Sequence, residues 1–212
     1  MATDKNKGNY EIQRDYAKKY FLAYDQQEIV DKLDLESDEK YIYLWFVGKE
    51  YRVDKKNGRV EGSKNHFLSA EEAGFQEVLS IFDLLCYSEE RPKASGIWAP
   101  INSVKYTPRA IGINTNFNGS YPEVFDKNPD GFRKACEKLG GTVVAIGDIG
   151  YEIPIFDEIR VRLKFYFSDD EFPAQMVMLW DSEILKYMRY ETTFYVMGHV
   201  YQRIMEEQPI DS

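Results

Sequence analysis

Apolar residues recur at steps of three and four along several stretches of the chain, a spacing typical of amphipathic helices. The first stretch runs from Asn9 to Tyr24. Asp25, with Glu28 three residues later, predicts the start of a second, short helix, because the acidic side chain can accept hydrogen bonds from the exposed backbone N–H groups of a first turn.

Three further helices are predicted downstream. The sequence 69–72 (Ser-Ala-Glu-Glu) has the pattern of a capping box and precedes an apolar face, so it predicts a third helix that ends near Pro92. The stretch 128–141 opens with Asn-Pro and closes with two glycines, which predicts a fourth helix. A final helical region is predicted to start at 181–183 and to stop before Pro209.

Strands are indicated where apolar and polar residues alternate one by one, or where a short apolar run is bounded by turn residues. The run 41–47 predicts a strand covered on both faces, and Asn57-Gly58 predicts a type I′ hairpin turn after it. The run 142–146 predicts a short buried strand. Residues 159–167 alternate strictly between apolar and polar, and 174–180 predict an antiparallel return strand.

Helices and hairpins that alternate without a βαβ repeat predict the α+β class, with a largely antiparallel sheet built from hairpins and packed by about five helices. We expect one domain over residues 9–207, with a small N-terminal subdomain 9–90 followed by 97–207 as the alternative. Residues 1–8 are expected to be a disordered tail. The segment 92–128 is irregular, and long irregular segments in compact domains are often functional.

Composition narrows the function classes. The 212 residues carry a formal charge of −9, with 27 Lys and Arg against 36 Asp and Glu, which argues against a nucleic-acid partner. The sequence contains neither a long apolar run nor an apolar leader, so we expect no membrane association and a cytoplasmic location. No phosphate or dinucleotide loop with the required context occurs, and we expect no cofactor.

Cysteine and histidine are scarce. Cys86 and Cys136 are too few for a zinc or iron–sulfur site, and both are expected to be buried apolar groups. His66 and His199 are the two histidines, and no nucleophile motif accompanies either of them. Since His199 lies on an apolar and aromatic helix, we expect it to be a structural, partly buried residue.

Acidic residues concentrate between 148 and 191, and they supply the catalytic candidates Asp148, Asp170, Glu171 and Asp181. Carboxylate oxygens are the ligands of hard cations, so Asp170 and Glu171 are weak metal candidates, although no calcium-loop pattern is present and no metal is expected. A pair of these acids could also act as general acid and base. The alternative is a solvated acidic turn, with Asp181 capping the last helix.

Candidate ligand-binding residues are aromatic or cationic. Arg160, Arg162 and Lys164 share one face of a predicted strand and could bind an anionic ligand or an acidic partner, or could be a solvated face paired with acids across a hairpin. Trp98 and Phe172 are the aromatic candidates.

Tyrosines also recur along two predicted helices. Such rows are typical of core packing, and a homodimer seam or a ligand groove is the alternative. The two rows are Tyr10, Tyr16, Tyr20 and Tyr24, and Tyr187, Tyr190, Tyr195 and Tyr201.

The order of short motifs resembles the bacterial and archaeal family catalogued as domain of unknown function 3786. The motifs are Asp25-Gln-Gln-Glu-Ile29, Phe46–Val53, Asn57-Gly58, Gly96-Ile-Trp98, Leu139-Gly-Gly141, Gly147-Asp148, Ile153-Pro154, Asp170-Glu-Phe-Pro173 and Glu191. The Asp-Glu-Phe-Pro turn is the most specific of them. The resemblance implies no established activity, and it draws attention to Trp98, Asp148, Asp181 and residues 170–173. The resemblance also implies a redox or one-carbon setting, because some relatives are joined to a Cys-rich iron–sulfur segment; the 212 residues contain only two cysteines and no such segment.

Two hypotheses of function follow. The first is a ligand-binding or protein-interaction module, with a small molecule or a protein as its partner and a homodimer as one option, whose pocket is lined by aromatic residues from 92–128. The second is a carboxylate-dependent, Mg²⁺-assisted hydrolase that uses the acids between 148 and 183.

Overall fold

The computed structural model describes residues 8–88, 90–107 and 119–208, and within them six α-helices and nine strands form an α+β fold. The predicted fold class is confirmed. The helices are α1 (Asn9–Ala23), α2 (Gln26–Leu33), α3 (Phe75–Tyr87), α4 (Tyr121–Lys127), α5 (Pro129–Lys138) and α6 (Tyr190–Glu207). The strands are β1 (Tyr41–Phe46), β2 (Lys49–Asp54), β3 (Val60–Ser63), β4 (Glu71–Glu72), β5 (Trp98–Pro100), β6 (Thr142–Val143), β7 (Ile149–Phe156), β8 (Ile159–Tyr166) and β9 (Gln175–Asp181).

Two predicted segments fall partly outside the described residues. Of the expected disordered tail 1–8, only Gly8 is described, and it is the N-cap of α1. Of the irregular segment 92–128, residues 108–118 lie outside. The remainder of that segment contains β5 and α4, which the sequence pattern did not predict.

The strands form two antiparallel sheets. The first sheet has the order β1-β2-β3-β4, and the second has the order β5-β9-β8-β7-β6. On β8 the residues Ile159, Val161, Leu163 and Phe165 are buried while the intervening cations are half-buried, so the predicted alternation is confirmed. The second sheet therefore packs one face on the core and leaves the other open.

The β1–β2 turn joins the two sheets. Val47 and Gly48 both have positive φ, +47° and +67°, as in a type I′ turn. Val47 donates its N–H to the carbonyl of Ile155 on β7 (2.9 Å), and its own carbonyl accepts a hydrogen bond from Arg203 Nε on α6 (3.3 Å). A β-branched residue is strained at positive φ, so these contacts from the second sheet and α6 hold the turn in place.

The turn predicted at Asn57-Gly58 has a different geometry. It connects β2 to β3, so the predicted hairpin is present, but only Gly58 of the pair has positive φ, at +67°. The Asp54 carboxylate accepts hydrogen bonds from the backbone N–H groups of Lys56 (2.9 Å) and Asn57 (3.0 Å). This capping by Asp54 favours a longer connection than the two-residue type I′ turn.

The capping box predicted at 69–72 is wrong. Glu71 and Glu72 form β4 and pair with β3, while α3 starts after Gly74, whose N–H is bound by the Glu77 carboxylate. Ser69 cannot act as the cap because its N–H and hydroxyl bind Asn65 Oδ1, at 3.0 and 3.2 Å.

The run 142–146 is also not a buried strand. Only Thr142 and Val143 pair with β7, and both side chains are exposed. The buried strand of this region is β7 itself, which the pattern did not single out.

Helix α6 lies at the centre of the core. It packs against α3 on one side and against α5 on the other, and α3 in turn packs against α1. One cluster of buried side chains extends from Phe21 on α1 to Ile204 on α6 and includes residues of both sheets. Within the described residues no helix combines the length and apolar character needed to cross a bilayer.

Candidate functional site: a cleft beside Trp45

The four candidate carboxylates do not converge. Asp148, Asp170 and Glu171 are exposed at one end of the second sheet, and Asp181 is buried at the other end of β9, a strand of seven residues that spans roughly 20 Å. Among the described residues there is no group of three His, Cys, Asp or Glu side chains that could hold a metal ion.

The exposed acids belong to a loop that other groups organise. Asp148 accepts a hydrogen bond from the N–H of Phe167 (2.9 Å), and Asp169 accepts the N–H groups of Glu171 (2.9 Å) and Phe172 (2.7 Å). Asp170 and Glu171 point to solvent. These contacts fit the alternative interpretation of a solvated acidic turn.

Asp181 does not cap the last helix. The N-cap of α6 is Arg189, eight residues further on. Instead the Asp181 carboxylate accepts the backbone N–H groups of Ser95 (2.8 Å), Gly96 (3.0 Å) and Glu183 (2.9 Å). It therefore fixes the segment that leads into β5.

The cationic stripe on β8 lies on the open face of the second sheet. Arg162 donates to Glu152 on β7 (2.8 Å), and its guanidinium lies 4.3 Å from the centre of the Trp98 ring. Arg160 lies 3.9 Å from the same carboxylate, and Lys164 lies over the Tyr166 ring. Trp98 and Arg162 are thus brought together, while Phe172 is exposed on the distant acidic turn.

A cleft of about 440 Å³ opens elsewhere, between the first sheet and the turn that connects β7 to β8. We call it the Trp45 cleft. Its aromatic lining comes from Tyr43, Trp45, Tyr51, Phe67 and Phe156. None of these residues belongs to the segment 92–128, from which we expected the lining of a pocket. Its ionisable lining is Asp34, Glu36, Glu50, His66, Arg91 and Asp157.

The wall that β1 forms follows from local sequence. Alternation on β1 buries Ile42, Leu44 and Phe46 and turns Tyr43 and Trp45 outward, so that Trp45 is 58% exposed. Trp45 is a candidate that sequence reasoning missed, because a tryptophan in an apolar run is ordinarily interpreted as core.

Strained backbone concentrates at this cleft. Six non-glycine residues of the described chain have positive φ, and four of them line the cleft: Asp34, His66, Phe67 and Asp157. Asp34 is the C-cap of α2, and Asp157 lies in the β7–β8 turn. His66 and Phe67 are consecutive, and Ser63 Oγ holds the loop by accepting the Phe67 N–H (2.9 Å). Such outliers occur preferentially at binding sites.

Hydrogen bonds and ion pairs hold together the residues at the rims of the Trp45 cleft. Glu50 accepts two hydrogen bonds from His66, from its backbone N–H (3.0 Å) and from Nδ1 (2.7 Å). Arg91 binds both Asp34 and Asp157. The lining has four carboxylates and one guanidinium, so the cleft has more negative than positive charge. Among the described residues neither Glu36 nor Glu50 forms a salt bridge with a lysine or an arginine.

A buried polar cluster lies behind the cleft wall. The Tyr51 hydroxyl donates to Glu77 and lies 3.4 Å from His199 Nε2, while Lys49 Nζ is 3.7 Å from Glu77. Burial alone would raise the pKa of Glu77, but the hydrogen bonds from Tyr51 and Gly74 and the nearby ammonium group of Lys49 hold it below its ordinary value.

His199 is completely enclosed. It stacks on Phe46 with ring centres 5.2 Å apart, and Nδ1 has no hydrogen-bond partner among the described residues. Burial lowers its pKa to about 4, so the ring is neutral at physiological pH. The prediction of a structural histidine fits this environment, although the burial is complete rather than partial.

Cys86 and Cys136 are buried free thiols, as predicted. Burial raises the pKa of both, that of Cys86 to about 12. Neither is therefore available as a thiolate nucleophile.

The fold and the site define an α+β protein with an open, aromatic and acidic cleft between two antiparallel sheets. The family model described as Domain of unknown function (DUF3786) matches residues 25–203, and the chain belongs to that family. Every residue of the Trp45 cleft lies inside the matched range, whereas α1 lies before it. Comparison with curated proteins and with solved structures gives no match.

Proposed function

We propose that the protein is a ligand-binding module and that the Trp45 cleft holds a small organic cation with an apolar body, such as an aryl- or alkylamine. The observation that carries this proposal is the half-exposed Trp45 ring in a cleft whose carboxylates outnumber its cations. Size supports it as well, since the cleft volume of about 440 Å³ falls within the roughly 300–1,000 Å³ of small-molecule sites.

The aromatic side chains supply the apolar contacts. Tyr43 and Trp45 come from β1, Phe67 comes from the strained loop, and Phe156 comes from the second sheet. The negative faces of tyrosine and tryptophan rings attract cations, an attraction worth about 0.5–2 kcal/mol depending on desolvation. An apolar ligand with an ammonium group would satisfy both the rings and the carboxylates.

The negative charge of the cleft lining disfavours anionic ligands. The four carboxylates Asp34, Glu36, Glu50 and Asp157 face a single guanidinium, that of Arg91, which Asp34 and Asp157 already bind. The carboxylates of Glu36 and Glu50 therefore dominate the field of the cleft. An anionic ligand would meet repulsion there, and a cation would be attracted.

A matched ligand series tests this proposal. Isothermal titration calorimetry would compare 2-phenylethylamine, 2-phenylethanol and 3-phenylpropionate, which share a ring and differ in charge. We expect the amine to bind best and the carboxylate to show no binding. If the three ligands bind equally, or only the carboxylate binds, the proposal is wrong.

Matched variants locate the site. Trp45→Ala and Glu50→Gln should each weaken amine binding by about tenfold, which corresponds to about 1.4 kcal/mol. Trp98→Ala and Asp170→Asn are the controls, because they remove the same groups from the open sheet face and from the acidic turn. They should leave the affinity unchanged.

A further inference from the structure

Helix α1 presents an apolar stripe to solvent. Ile12, Tyr16 and Tyr20 recur every four residues, so they share one face, and they are 39%, 70% and 51% exposed. The core contact of the helix is made by its other side, where Phe21 is fully buried against Phe82 with ring centres 5.1 Å apart. Tyr10, Tyr16 and Tyr20 of the first tyrosine row are therefore exposed rather than core, while Tyr24 is half-buried against the core. In the C-terminal row Tyr187, Tyr190 and Tyr201 are buried.

A groove runs beside this stripe. It has a volume of about 480 Å³ and lies between α1, α3 and α6. Tyr16 and Tyr20 form one wall, Thr192 and Tyr195 form the other, and Leu79 lies between them. The groove is wide enough to receive apolar side chains from a protein surface that packs against α1.

We infer that this face of α1 is a homodimer interface, in which a second copy of the chain packs its own α1 antiparallel against the first. A twofold axis placed near Tyr16 would bring each stripe onto the other and bury Tyr16 and Tyr20 of both copies. Closed twofold symmetry is the commonest arrangement of soluble oligomers, and it requires a surface that complements itself.

The charges along α1 meet that requirement. Glu11, Asp15 and Lys19 also recur every four residues, so they form a row along one edge of the apolar stripe. A twofold axis across the helices places this row beside the same row of the partner, running in the opposite direction. Lys19 of each copy then lies opposite the acidic end of the other, and like charges meet only where the two Asp15 side chains flank the axis, whereas a parallel pair would place every charge of the row beside its own copy.

Sedimentation velocity on the full chain over a wide concentration range tests the inference. We expect a reversible monomer–dimer equilibrium, with a dissociation constant that rises at least tenfold in Tyr16→Glu. Phe172→Glu is the matched control, because Phe172 is also exposed but lies on the distant acidic turn, and it should dimerise like the natural chain. Circular dichroism would show that both variants fold.

Charge exchange and cross-linking provide a second test. Lys19→Glu should weaken the dimer. Adding Glu11→Lys and Asp15→Lys to the Lys19→Glu chain should restore the dimer, because the row then carries the opposite charges throughout. Because Cys86 and Cys136 are buried, an engineered Tyr16→Cys should form an intermolecular disulfide on oxidation, whereas Phe172→Cys should not.

A natural chain that sediments as a monomer at every concentration would overturn the inference. So would a dimer that Tyr16→Glu leaves intact or that Phe172→Glu dissociates, since either result would place the interface elsewhere.

Discussion

Arg91 holds Asp157 through two parallel hydrogen bonds, from Nε to Oδ2 at 2.9 Å and from Nη2 to Oδ1 at 3.2 Å. A third bond runs from Nη1 to Asp34 Oδ2 at 2.9 Å. Asp34 caps α2 and Asp157 lies in the β7–β8 turn, so one guanidinium joins two rims of the Trp45 cleft. The same carboxylates raise the pKa of Arg91, Asp157 first and Asp34 second.

Arg91→Lys should lower the thermal unfolding midpoint by a few degrees at low salt, because an ammonium group cannot reproduce the planar fork that binds two carboxylates. The difference should shrink in concentrated salt, since the pairs are partly exposed. Arg14→Lys is the control, because Arg14 makes one contact of 3.0 Å, with Glu72, and its loss should matter less. A midpoint for Arg91→Lys equal to that of the natural chain at low salt would contradict this prediction.

Asp181→Asn should be destabilising. The buried carboxylate accepts three backbone N–H groups, and an amide would turn its own N–H₂ towards one of them. We expect a loss of about 1–3 kcal/mol in the free energy of unfolding, measured by urea denaturation. Asp170→Asn, on the exposed turn, should stay within about 0.5 kcal/mol of the natural chain. Equal effects of the two substitutions would show that Asp181 has no special structural role.

His199 should make stability depend on pH. Its pKa is lowered from 6.5 to about 4 in the folded chain, chiefly by burial, with Arg203 and Lys49 adding to the effect and Glu77 and Glu206 opposing it. The unfolded chain therefore binds a proton that the folded chain does not as the pH falls from 6.5 towards 4, so stability falls over that interval. The expected total is about 3 kcal/mol.

Urea denaturation between these pH values would measure the effect. His199→Phe keeps the ring stacked on Phe46 and should remove most of the slope. The control is His66→Asn, since His66 is the other histidine and is exposed, and that variant should keep the slope. Parallel pH profiles for the natural chain and His199→Phe would contradict the prediction.

Local chemistry allowed much of the fold to be predicted. The alternation on β8, the Asp25 N-cap and the Asn128-Pro129 start of α5 all involve neighbouring residues, and the structure confirms them. The error at 69–72 came from a contact with Asn65 and a pairing with β3, which a helix-start motif does not include. The strand β7 was missed because it is buried by tertiary contacts and contains Gly150 and Pro154.

The Trp45 cleft could not be predicted in the same way. Its walls come from the end of α2, from β1 and β2, from the loop after β3, from Arg91 and from the β7–β8 turn, and most of these are far apart in sequence. The acids between 148 and 183 were predicted to form a site because they are frequent in that stretch of sequence. In the structure, however, β9 separates Asp170 from Asp181. Acidic residues that are close in sequence are therefore not close in space when an extended strand lies between them.

The indole N–H signals of the three tryptophans test the cation-binding account most directly. In a two-dimensional ¹H–¹⁵N NMR titration with 2-phenylethylamine, we expect the Trp45 signal to move progressively to saturation. Trp180 in the core and Trp98 on the open sheet face should stay unchanged, and 3-phenylpropionate should move none of the three. A Trp45 signal that does not move with the amine, or that moves equally with the carboxylate, would contradict the account.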